Sequence, residues 1–322
     1  MLPEMNRRGF LRIGATASAA ALLSPELLTP HWLLGQAAAP ADMVAQSRQA
    51  AAKTPIKTTQ LSDSVFLLQG AGGNMAAQFG DDGVNLVDSS FSTAAPAILN
   101  AINAIDKEQA GTLINTHWHY DHTDGNERLN QAGFSIVAHQ KTRDRLSSPQ
   151  TIKAFGLSLP AAPKTAWPAL TFDSSLHLWL NDDSIDIVHF EPAHTDTDVY
   201  IHFHNANVLH LGDTFFNGFY PFIDESSGGN IGGMIAASEK ALAIAGSTTK
   251  IIPGHGPLGT KADLQSFHDM LSGVRDKVAA LKKAGSTEQE AIAAKPTAQW
   301  DAVWGKGMMN GDVFTGLTYR TI

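Results

Sequence analysis

Residues 117–122 read HWHYDH and place four side chains that can bind a metal ion within six positions. A strand or a helix cannot turn all four towards one point, so the chain must bend sharply here, as loops do. The preceding residues 112–116, TLINT, form a short apolar run that predicts a strand leading directly into this loop. Imidazole and carboxylate together suit zinc, iron or manganese. The segment therefore predicts a metal-binding loop at the end of a strand.

The sequence before this loop alternates between strand and helix patterns. Three short apolar runs predict strands at residues 65–68, 76–79 and 84–88. The turn sequence DDG at 81–83 joins the second and third of these strands as a hairpin. Residues 94–105 carry apolar side chains at helical spacing, and Ser92 or Thr93 is expected to cap this helix. A strand, a helix and a strand followed by a polar loop is the setting in which α/β proteins place active sites.

The second half of the chain repeats this mixture of elements. Strand patterns occur at residues 176–180, 185–190, 199–203, 207–211 and 251–252. Helix patterns occur at residues 231–245, 261–284 and 288–294. Ser286 and Gln289 are expected to form the capping box of the last of these helices. The pattern predicts an α/β fold in which two halves, each built of strands and helices, face one another.

Three isolated residues further along the chain follow predicted strands. They are His194 in PAHT, Asp213 in LGDT and His255 in PGHG. Taken singly, each of them would more often be a structural residue than a ligand. Their order and their positions at strand ends, together with HWHYDH and the earlier Asp88, resemble the metallo-β-lactamase superfamily from about Val65 to Gly256.

This resemblance implies an α/β fold, the four-layer αββα sandwich of that superfamily, with a centre for two metal ions. By position, the first ion would be bound by His117, His119 and His194. The second ion would be bound by Asp121, His122 and His255. Asp213 would bridge both ions, as in glyoxalase II and related hydrolases, and Asp88 would steady a ligand imidazole or the loop.

The activity implied by such a centre is hydrolysis. A bridging carboxylate holds two ions about 3.5–4 Å apart, and they share one hydroxide because bound water has its pKa lowered towards ~7. Asp121 would also act in catalysis, by orienting or shuttling a proton. Two Zn²⁺ ions per chain are expected, with iron or manganese as alternatives. The expected substrate is a small ester, thioester, lactone or amide. β-Lactams belong to this class, although the largest β-lactamase subclass has Cys in place of Asp213.

Two other functions stay open on the sequence. One is a mononuclear iron oxidoreductase of the persulfide dioxygenase type, in which His117, His194 and Asp213 would serve a single iron. The other is a metal-binding protein without catalytic activity. Metal content separates the first alternative from hydrolysis, because one iron per chain supports dioxygenation and two zinc ions support hydrolysis.

Several segments are candidates for contact with a ligand. Asn230 is expected to donate a hydrogen bond to a substrate carbonyl. The aromatic-rich residues 215–222 form either a wall of the pocket or part of the core, and residues 69–74 stand where class B β-lactamases carry a flap. His202 and His204 share one face of a predicted strand, which is a solvated face unless further ligands complete a metal site there.

The amino-terminal sequence has the pattern of a targeting segment. Residues 6–12, NRRGFLR, precede a weakly apolar run at 13–23, and residues 37–39 are AAA. This resembles a twin-arginine export signal with a small-residue cleavage site. It predicts a signal peptide at residues 1–39 and a single hydrolase domain at 40–322 that includes the C-terminal helices. The twin-arginine export machinery would be a partner of a bacterial protein that is periplasmic or secreted, without stable membrane association after cleavage.

Composition narrows the chemistry and the partners. The 322 residues include no cysteine, which excludes disulfides and thiol catalysis and leaves His and carboxylate to build any metal site. The formal net charge of −8 leaves no basic footprint for nucleic acid. The expected partner is therefore a small-molecule substrate.

Overall fold

The computed structural model describes residues 40–107 and 110–322. The predicted export signal at residues 1–39 lies outside this part of the chain. Among the described helices, none combines the length and the apolar character that crossing a membrane requires.

Two sheets form the centre of the fold. The first sheet consists, in spatial order, of β1 (Lys57–Gln60), β2 (Val65–Gln69), β3 (Met75–Gln78), β4 (Val84–Val87), β5 (Ala110–Ile114), β6 (Ser135–His139) and β9 (Leu170–Phe172). The second sheet consists of β10 (Ser175–Leu180), β11 (Asp183–His189), β12 (Val199–Phe203), β13 (Val208–His210) and β14 (Lys250–Ile252). A separate hairpin contains β7 (Gln150–Ile152) and β8 (Leu157–Leu159). Strands β4, β5, β6 and β9 pair in parallel, and so do β13 and β14.

Helices lie on the outer faces of both sheets and in the connections between strands. The helices of the first half are α1 (Pro40–Ala51), α2 (Ala95–Ile105), α3 (Tyr120–Thr123), α4 (Asn126–Gln131) and α5 (Gln140–Leu146). The helices of the second half are α6 (Ile231–Ile244), α7 (Lys261–Lys283), α8 (Glu288–Ala293), α9 (Asp301–Trp304) and α10 (Gly311–Thr321).

Three apolar cores separate four layers. The central core lies between the two sheets and takes inward side chains from both, such as Leu67 of β2 and Ile187 of β11. The second core lies between the first sheet and α2, where Ile98 is buried with Leu113 of β5. The third core lies between the second sheet and α6, α7 and α10, and it includes Leu209, Met234, Phe267 and Phe314. The predicted four-layer αββα sandwich is therefore confirmed.

Strand ends from both sheets meet at one edge of this sandwich. The loop after β5 carries residues 117–122, and the turn between β11 and β12 carries His194. Asp213 follows β13 and His255 follows β14, whose parallel pairing brings the two strand ends together. The backbone N–H of Gly254 donates to the carbonyl of Gly212 over 2.7 Å, which fixes these two loops side by side. The topology thus gathers side chains that are more than a hundred residues apart in the sequence.

Two predicted helix caps are wrong in detail. Residues 92–94 form a 3-10 turn, and α2 starts after it without a side-chain cap, so neither Ser92 nor Thr93 has the expected role. The capping box of α8 is formed by Thr287 and Glu290, one residue later than the predicted pair Ser286 and Gln289. A shift of one residue changes which side chain reaches the free backbone N–H groups, and the local pattern of Ser, Thr, Glu and Gln allowed both registers.

Several short elements had no counterpart in the sequence-based prediction. They are β1, β6, β7, β8 and β9 together with α3, α4, α5, α9 and α10. The missed strands have three to five residues and four of these five helices have four to seven, which is too few for a period of 2.0 or 3.6 to stand out. The long helix α7 and strands β10 to β13, by contrast, lie where the sequence predicted them, within two residues at each end.

Candidate metal centre

The buried carboxylate of Asp88 connects the two ends of the HWHYDH loop. Its Oδ1 accepts from the backbone N–H of Thr116, and its Oδ2 accepts from the Thr116 hydroxyl, both over 2.7 Å. The Oδ2 atom also lies 2.7 Å from Nδ1 of His122. Asp88 has a left-handed backbone with φ of 63°, a conformation that Asp and Asn adopt more readily than most residues. The predicted supporting role of Asp88 thus has a definite geometry, in which one side chain orients both the start and the end of the loop.

A short helix gives the loop its sharp turn. His119 has an extended backbone, and helix α3 begins at the next residue. His117 and His119 therefore precede the helix, whereas Asp121 and His122 lie in its first turn. Because the backbone changes from extended to helical here, His117 and His119 can face one ligand group while Asp121 and His122 face the other.

The seven residues predicted as ligands form two buried groups. In the first group, the potential ligand atoms lie within 4.8 Å of one another, and its members are His117, His119, His194 and Asp213. The second group is equally compact, and its members are Asp121, His122 and His255. The structure therefore brings together every one of the seven residues, including the three that are isolated in the sequence.

Asp213 lies between the two groups. Its Oδ2 atom is 3.4 Å from Nε2 of His194 in the first group and 3.4 Å from Nε2 of His255 in the second. Its Oδ1 atom is 3.1 Å from Nε2 of His122, although the two are not aligned for a hydrogen bond. A carboxylate in this position can contact an ion in either group.

The polar atoms inside the groups fit bound cations. Nε2 of His117, Nε2 of His122 and Oδ1 of Asp213 are buried and make no hydrogen bond. A buried polar atom without a partner costs about 1–3 kcal/mol, and one cation in each group would together satisfy all three. Since imidazole nitrogen and carboxylate oxygen are the donors that zinc, iron and manganese accept, the residues present fit two divalent metal ions.

The imidazoles of His117, His119 and His194 are each oriented by a contact at the nitrogen that points away from the centre. Nδ1 of His194 donates to the carbonyl oxygen of Phe222 over 2.7 Å, which leaves Nε2 free of a proton. Nε2 of His119 lies 3.2 Å from the Asp224 carboxylate, so His119 presents Nδ1 instead. Nδ1 of His117 lies 3.0 Å from the Thr116 hydroxyl, which itself donates to Asp88. Such outer partners fix the ring orientation and the tautomer that a metal ligand needs.

Burial and neighbouring charges shift the pKa values in the centre. Burial lowers the pKa of His194 to about 4, and burial together with His122 lowers that of His117 well below its ordinary value. Burial would raise the pKa of Asp213, but the imidazoles of His255 and His122 lower it well below its usual range. Neutral imidazoles and an ionised carboxylate are the forms that bind metal ions, so the shifts of His117, His194 and Asp213 favour metal binding. Against the lowering effect of burial, the carboxylates of Asp213 and Asp121 instead raise the pKa of His122 well above its ordinary value and that of His255 to about 9, so an ion in the second group would have to displace a proton from each of these imidazoles.

The profile of the metallo-β-lactamase superfamily matches residues 70–255, which is more than half of the chain. The chain belongs to the metallo-β-lactamase superfamily. Among solved structures, a metallo-β-lactamase from Pontibacter korlensis is similar with a TM-score of 0.57 and 16% identity, covering 67% of this chain and 99% of that one. The DIM-1 metallo-β-lactamase is similar with a TM-score of 0.54 and 19% identity, covering 68% and 99%. At these identities the likeness concerns the fold.

Two carboxylates that support the candidate metal centre, Asp198 and Asp224, were not identified from the sequence. Asp198 accepts the backbone N–H groups of His194 and Thr195 over 2.7 and 2.8 Å and so shapes the loop that carries His194. Burial raises the pKa of Asp198 to about 7, although the hydrogen bonds from Thr195 oppose this rise. Asp224 orients His119 and is itself held by the hydroxyl of Ser227. The available signal was weak, because both residues look like ordinary loop aspartates in the sequence.

Asn230 has a role other than the predicted contact with substrate. Its side-chain oxygen accepts from the backbone N–H of Gly233 over 2.8 Å and caps helix α6. Its side-chain nitrogen donates to the carbonyl of Pro192 over 2.9 Å. The structure therefore corrects the expectation for Asn230: its amide holds a helix end against the loop before His194, and it does not line the cavity beside the metal ligands.

The two loops considered for substrate contact differ in what they contact. In the aromatic run 215–222, Phe216 and Phe222 line the cavity, whereas Phe215 and Tyr220 are fully packed in the helical core. The segment at the flap position is fixed, because Asn74 donates to the carbonyls of Pro253 and Gly256 over 2.9 Å. It forms part of the wall behind the ligands.

The strand face that carries His202 and His204 has further polar neighbours on adjacent strands, which the sequence spacing did not reveal. Asp186 on the neighbouring strand β11 lies with its Oδ2 atom 2.8 Å from Nε2 of His204. Its Oδ1 atom is 2.5 Å from Nδ1 of His177 on β10. The rings of His202 and His204 are 4.0 Å apart. These side chains are exposed or half-buried, in agreement with the predicted solvated face.

The role of Asp88 predicts the effect of removing its charge. We expect Asp88→Asn, which keeps the left-handed backbone accessible, to weaken metal binding by roughly 10–100-fold because His122 loses its charged partner. Competition with a chromogenic chelator measures this affinity. Asp276→Asn, at an exposed position of α7, serves as the matched control. Equal metal affinity in both variants would contradict the role given to Asp88.

The close approach of Gly73 to His122 gives a second prediction. A Cβ atom at residue 73 would overlap the His122 ring, so Gly73→Ala must displace that imidazole. We expect the variant to keep the first metal ion and lose most of the second, and elemental analysis after gel filtration measures the metal content. Gly246→Ala is the control, because a Cβ there meets only the Thr249 hydroxyl at 3.5 Å. Two ions per chain in Gly73→Ala would refute the argument.

Proposed function

We propose that the protein is a dinuclear zinc hydrolase that acts on a small ester, thioester, lactone or amide. The observation that carries this proposal is the position of Asp213 between two complete ligand groups. Two groups of three or four ligands sharing one carboxylate suit a pair of ions better than a single closed structural site. The family membership of the chain supports the same class of chemistry.

The chain's own residues define what happens around the bound substrate. Divalent ions in the two groups would polarise a carbonyl and supply a water-derived nucleophile near neutral pH. The carboxylate of Asp121 lines the cavity and lies 3.2 Å from Nε2 of His255. It is therefore placed both to bind an ion and to accept a proton from water and pass it to the leaving group. The buried surroundings exclude bulk water, which strengthens these electrostatic contacts.

The two alternative functions are less well supported. A mononuclear iron dioxygenase would need only the first group, but Asp121, His122 and His255 form a second group that is equally buried and compact. A metal-binding protein without activity would need no access for a substrate, whereas a small cavity of about 30 Å³, partly open to solvent, lies beside Asp121 and Asp213. Both features favour a hydrolase.

Hydrolysis is tested with the zinc-loaded mature protein on a panel of esters, thioesters, lactones and amides that includes a β-lactam. We expect turnover of at least one class, its loss after chelation, and a fall in kcat/KM of about 100-fold or more in Asp121→Ala, because a ligand and a proton acceptor are removed. Asp276→Ala is the control. One iron per chain with oxygen consumption would support the dioxygenase instead. Two bound zinc ions without turnover of any substrate would contradict the proposed hydrolase function.

The export of the protein is part of the proposal. The full-length chain, produced in a bacterium with twin-arginine machinery, should reach the periplasm with an amino terminus at or near Pro40, as measured by mass spectrometry of the intact protein. Arg7→Lys combined with Arg8→Lys should leave it in the cytoplasm, because that machinery reads the arginine pair. Recovery of the uncleaved chain in the membrane fraction would speak for an anchor.

A further inference from the structure

A second group of histidine and carboxylate side chains lies on the outer face of the second sheet and shares no residue with the candidate metal centre. The inward side chains of β11 and β12, Ile185 among them, are buried in the central core. Successive residues of a strand point to opposite faces, so Asp186 and His202 point outwards. They form the strand-face cluster together with His177 of β10 and His204, which directly follows β12.

Strand pairing sets these four side chains next to one another. In the antiparallel register, His177 lies opposite Asp186, and Asp186 lies opposite His202. Side chains directly opposite on paired strands have Cβ atoms about 4.5–5.5 Å apart. The backbone N–H of His204 donates to the carbonyl of Ser184 over 3.0 Å, which continues the pairing beyond the end of β12. The backbone therefore places three imidazoles beside one carboxylate.

The Asp186 carboxylate contacts two of these imidazoles directly. Its Oδ1 atom is 2.5 Å from Nδ1 of His177, and its Oδ2 atom is 2.8 Å from Nε2 of His204. The ring centroids of His202 and His204 are 4.0 Å apart. The hydroxyl of Ser184 lies 3.2 Å from Nε2 of His177, an outer contact of the kind that orients ligand imidazoles. Imidazole together with carboxylate is a donor set that zinc, nickel and copper accept.

The cluster is open to solvent, which leaves its side chains room to rotate. The side chains of His177, Asp186 and His204 are 42, 34 and 40% exposed. In the structure the two oxygens of Asp186 contact different imidazoles, so a single ion would require one oxygen and the ring nitrogens to converge by rotation about side-chain bonds. Exposed side chains change rotamers within nanoseconds, so this convergence does not depend on a change of fold.

The protonation states in the cluster suit a bound cation. Burial would raise the pKa of Asp186, but hydrogen bonds from His204 and His177 lower it below its ordinary value. Burial and the neighbouring His204 lower the pKa of His202. An ionised carboxylate and a neutral imidazole are the forms that bind metal ions, so neither residue has to lose a proton at neutral pH.

We propose that the strand-face cluster is a binding site for one divalent transition-metal ion, namely zinc, nickel or copper. His177, Asp186 and His204 are its ligands, and His202 is the fourth donor. The site is additional to the two ligand groups around Asp213, and it does not depend on the proposed hydrolase function. An ion there links β10, the edge strand of the second sheet, to β11 and to the end of β12. Because its ligands are exposed, this ion exchanges with the solution.

Zinc content at defined free zinc concentrations tests the site without any assay of activity. The wild-type protein and its variants are dialysed to equilibrium against the same zinc buffers, and bound zinc is measured by elemental analysis. Loss of even an outer partner of a ligand weakens metal binding about 10–100-fold, so loss of a direct ligand should weaken it at least about tenfold. Asp186→Asn and His204→Gln should therefore each bind one zinc ion fewer per chain than the wild type. This difference holds whatever number of ions the candidate metal centre binds.

His268→Gln on α7 is the matched control. His268 lies 3.1 Å from Asp269 and 3.5 Å from Glu239, so it represents a single surface imidazole beside carboxylates. We expect this variant to bind as much zinc as the wild type. Thermal melts detect a folding defect, and the use of two cluster variants keeps the test decisive if one of them is destabilised.

Trp179 provides a local reporter for the same site. It is 75% exposed, and its ring centroid lies 4.8 Å from that of His177. Paramagnetic Ni²⁺ in the cluster should quench the fluorescence of Trp179. The quenching by Ni²⁺ should therefore decrease in Trp179→Phe and in Asp186→Asn, and it should keep its wild-type size in His268→Gln.

The outcomes either support the site or overturn it. One zinc ion fewer in both cluster variants, with unchanged zinc in His268→Gln, supports it. Equal zinc content in the wild type, Asp186→Asn and His204→Gln would overturn it and leave a hydrogen-bonded network on a solvated face. An equal loss of zinc in His268→Gln would also overturn it, because the binding would then be common to surface histidines.

Discussion

The Asp213 carboxylate, buried between four imidazoles, is the contact on which the centre depends. His117 and His122 come from the loop after β5, His194 from the turn after β11, and His255 from the loop after β14. These elements belong to both sheets, so the carboxylate meets its neighbours only when the whole sandwich is correctly aligned. An unpaired buried charge costs free energy, so the Asp213 carboxylate favours the alignment of the two sheets that brings the imidazoles to it. The same alignment forms the site.

That the seven candidate ligands lie together could be predicted from the sequence, because their spacing and order are unusual. Their supporting residues could not, since Asp224 contacts His119 across 105 positions and nothing local indicates that pairing. The error at Asn230 has the opposite origin. An Asn directly before an apolar helical run is a common N-cap, and this local explanation was sufficient. The layers of the fold followed from the resemblance, whereas the shortest strands carried too few residues to show a period.

The candidate metal ligands and the apolar lining of the cavity come partly from different segments of the chain. The metal ligands and their outer partners lie on strand ends and tight turns that other buried groups hold in place, as Asp88 holds the HWHYDH loop. The apolar lining comes partly from the β7–β8 hairpin and the segment around Met308, which carry no ligand. Substitutions in these outer segments would change the lining of the cavity without touching the residues that hold the candidate ligands in place.

The distribution of the ligands over both sheets has a thermodynamic consequence. His117 follows a strand of the first sheet and His194 follows a strand of the second. A cation bound by both would therefore cross-link the two sheets. By linkage, whatever binds the folded chain and not the unfolded chain adds its binding free energy to stability. The stability of the folded protein would then depend on how much metal is available to it.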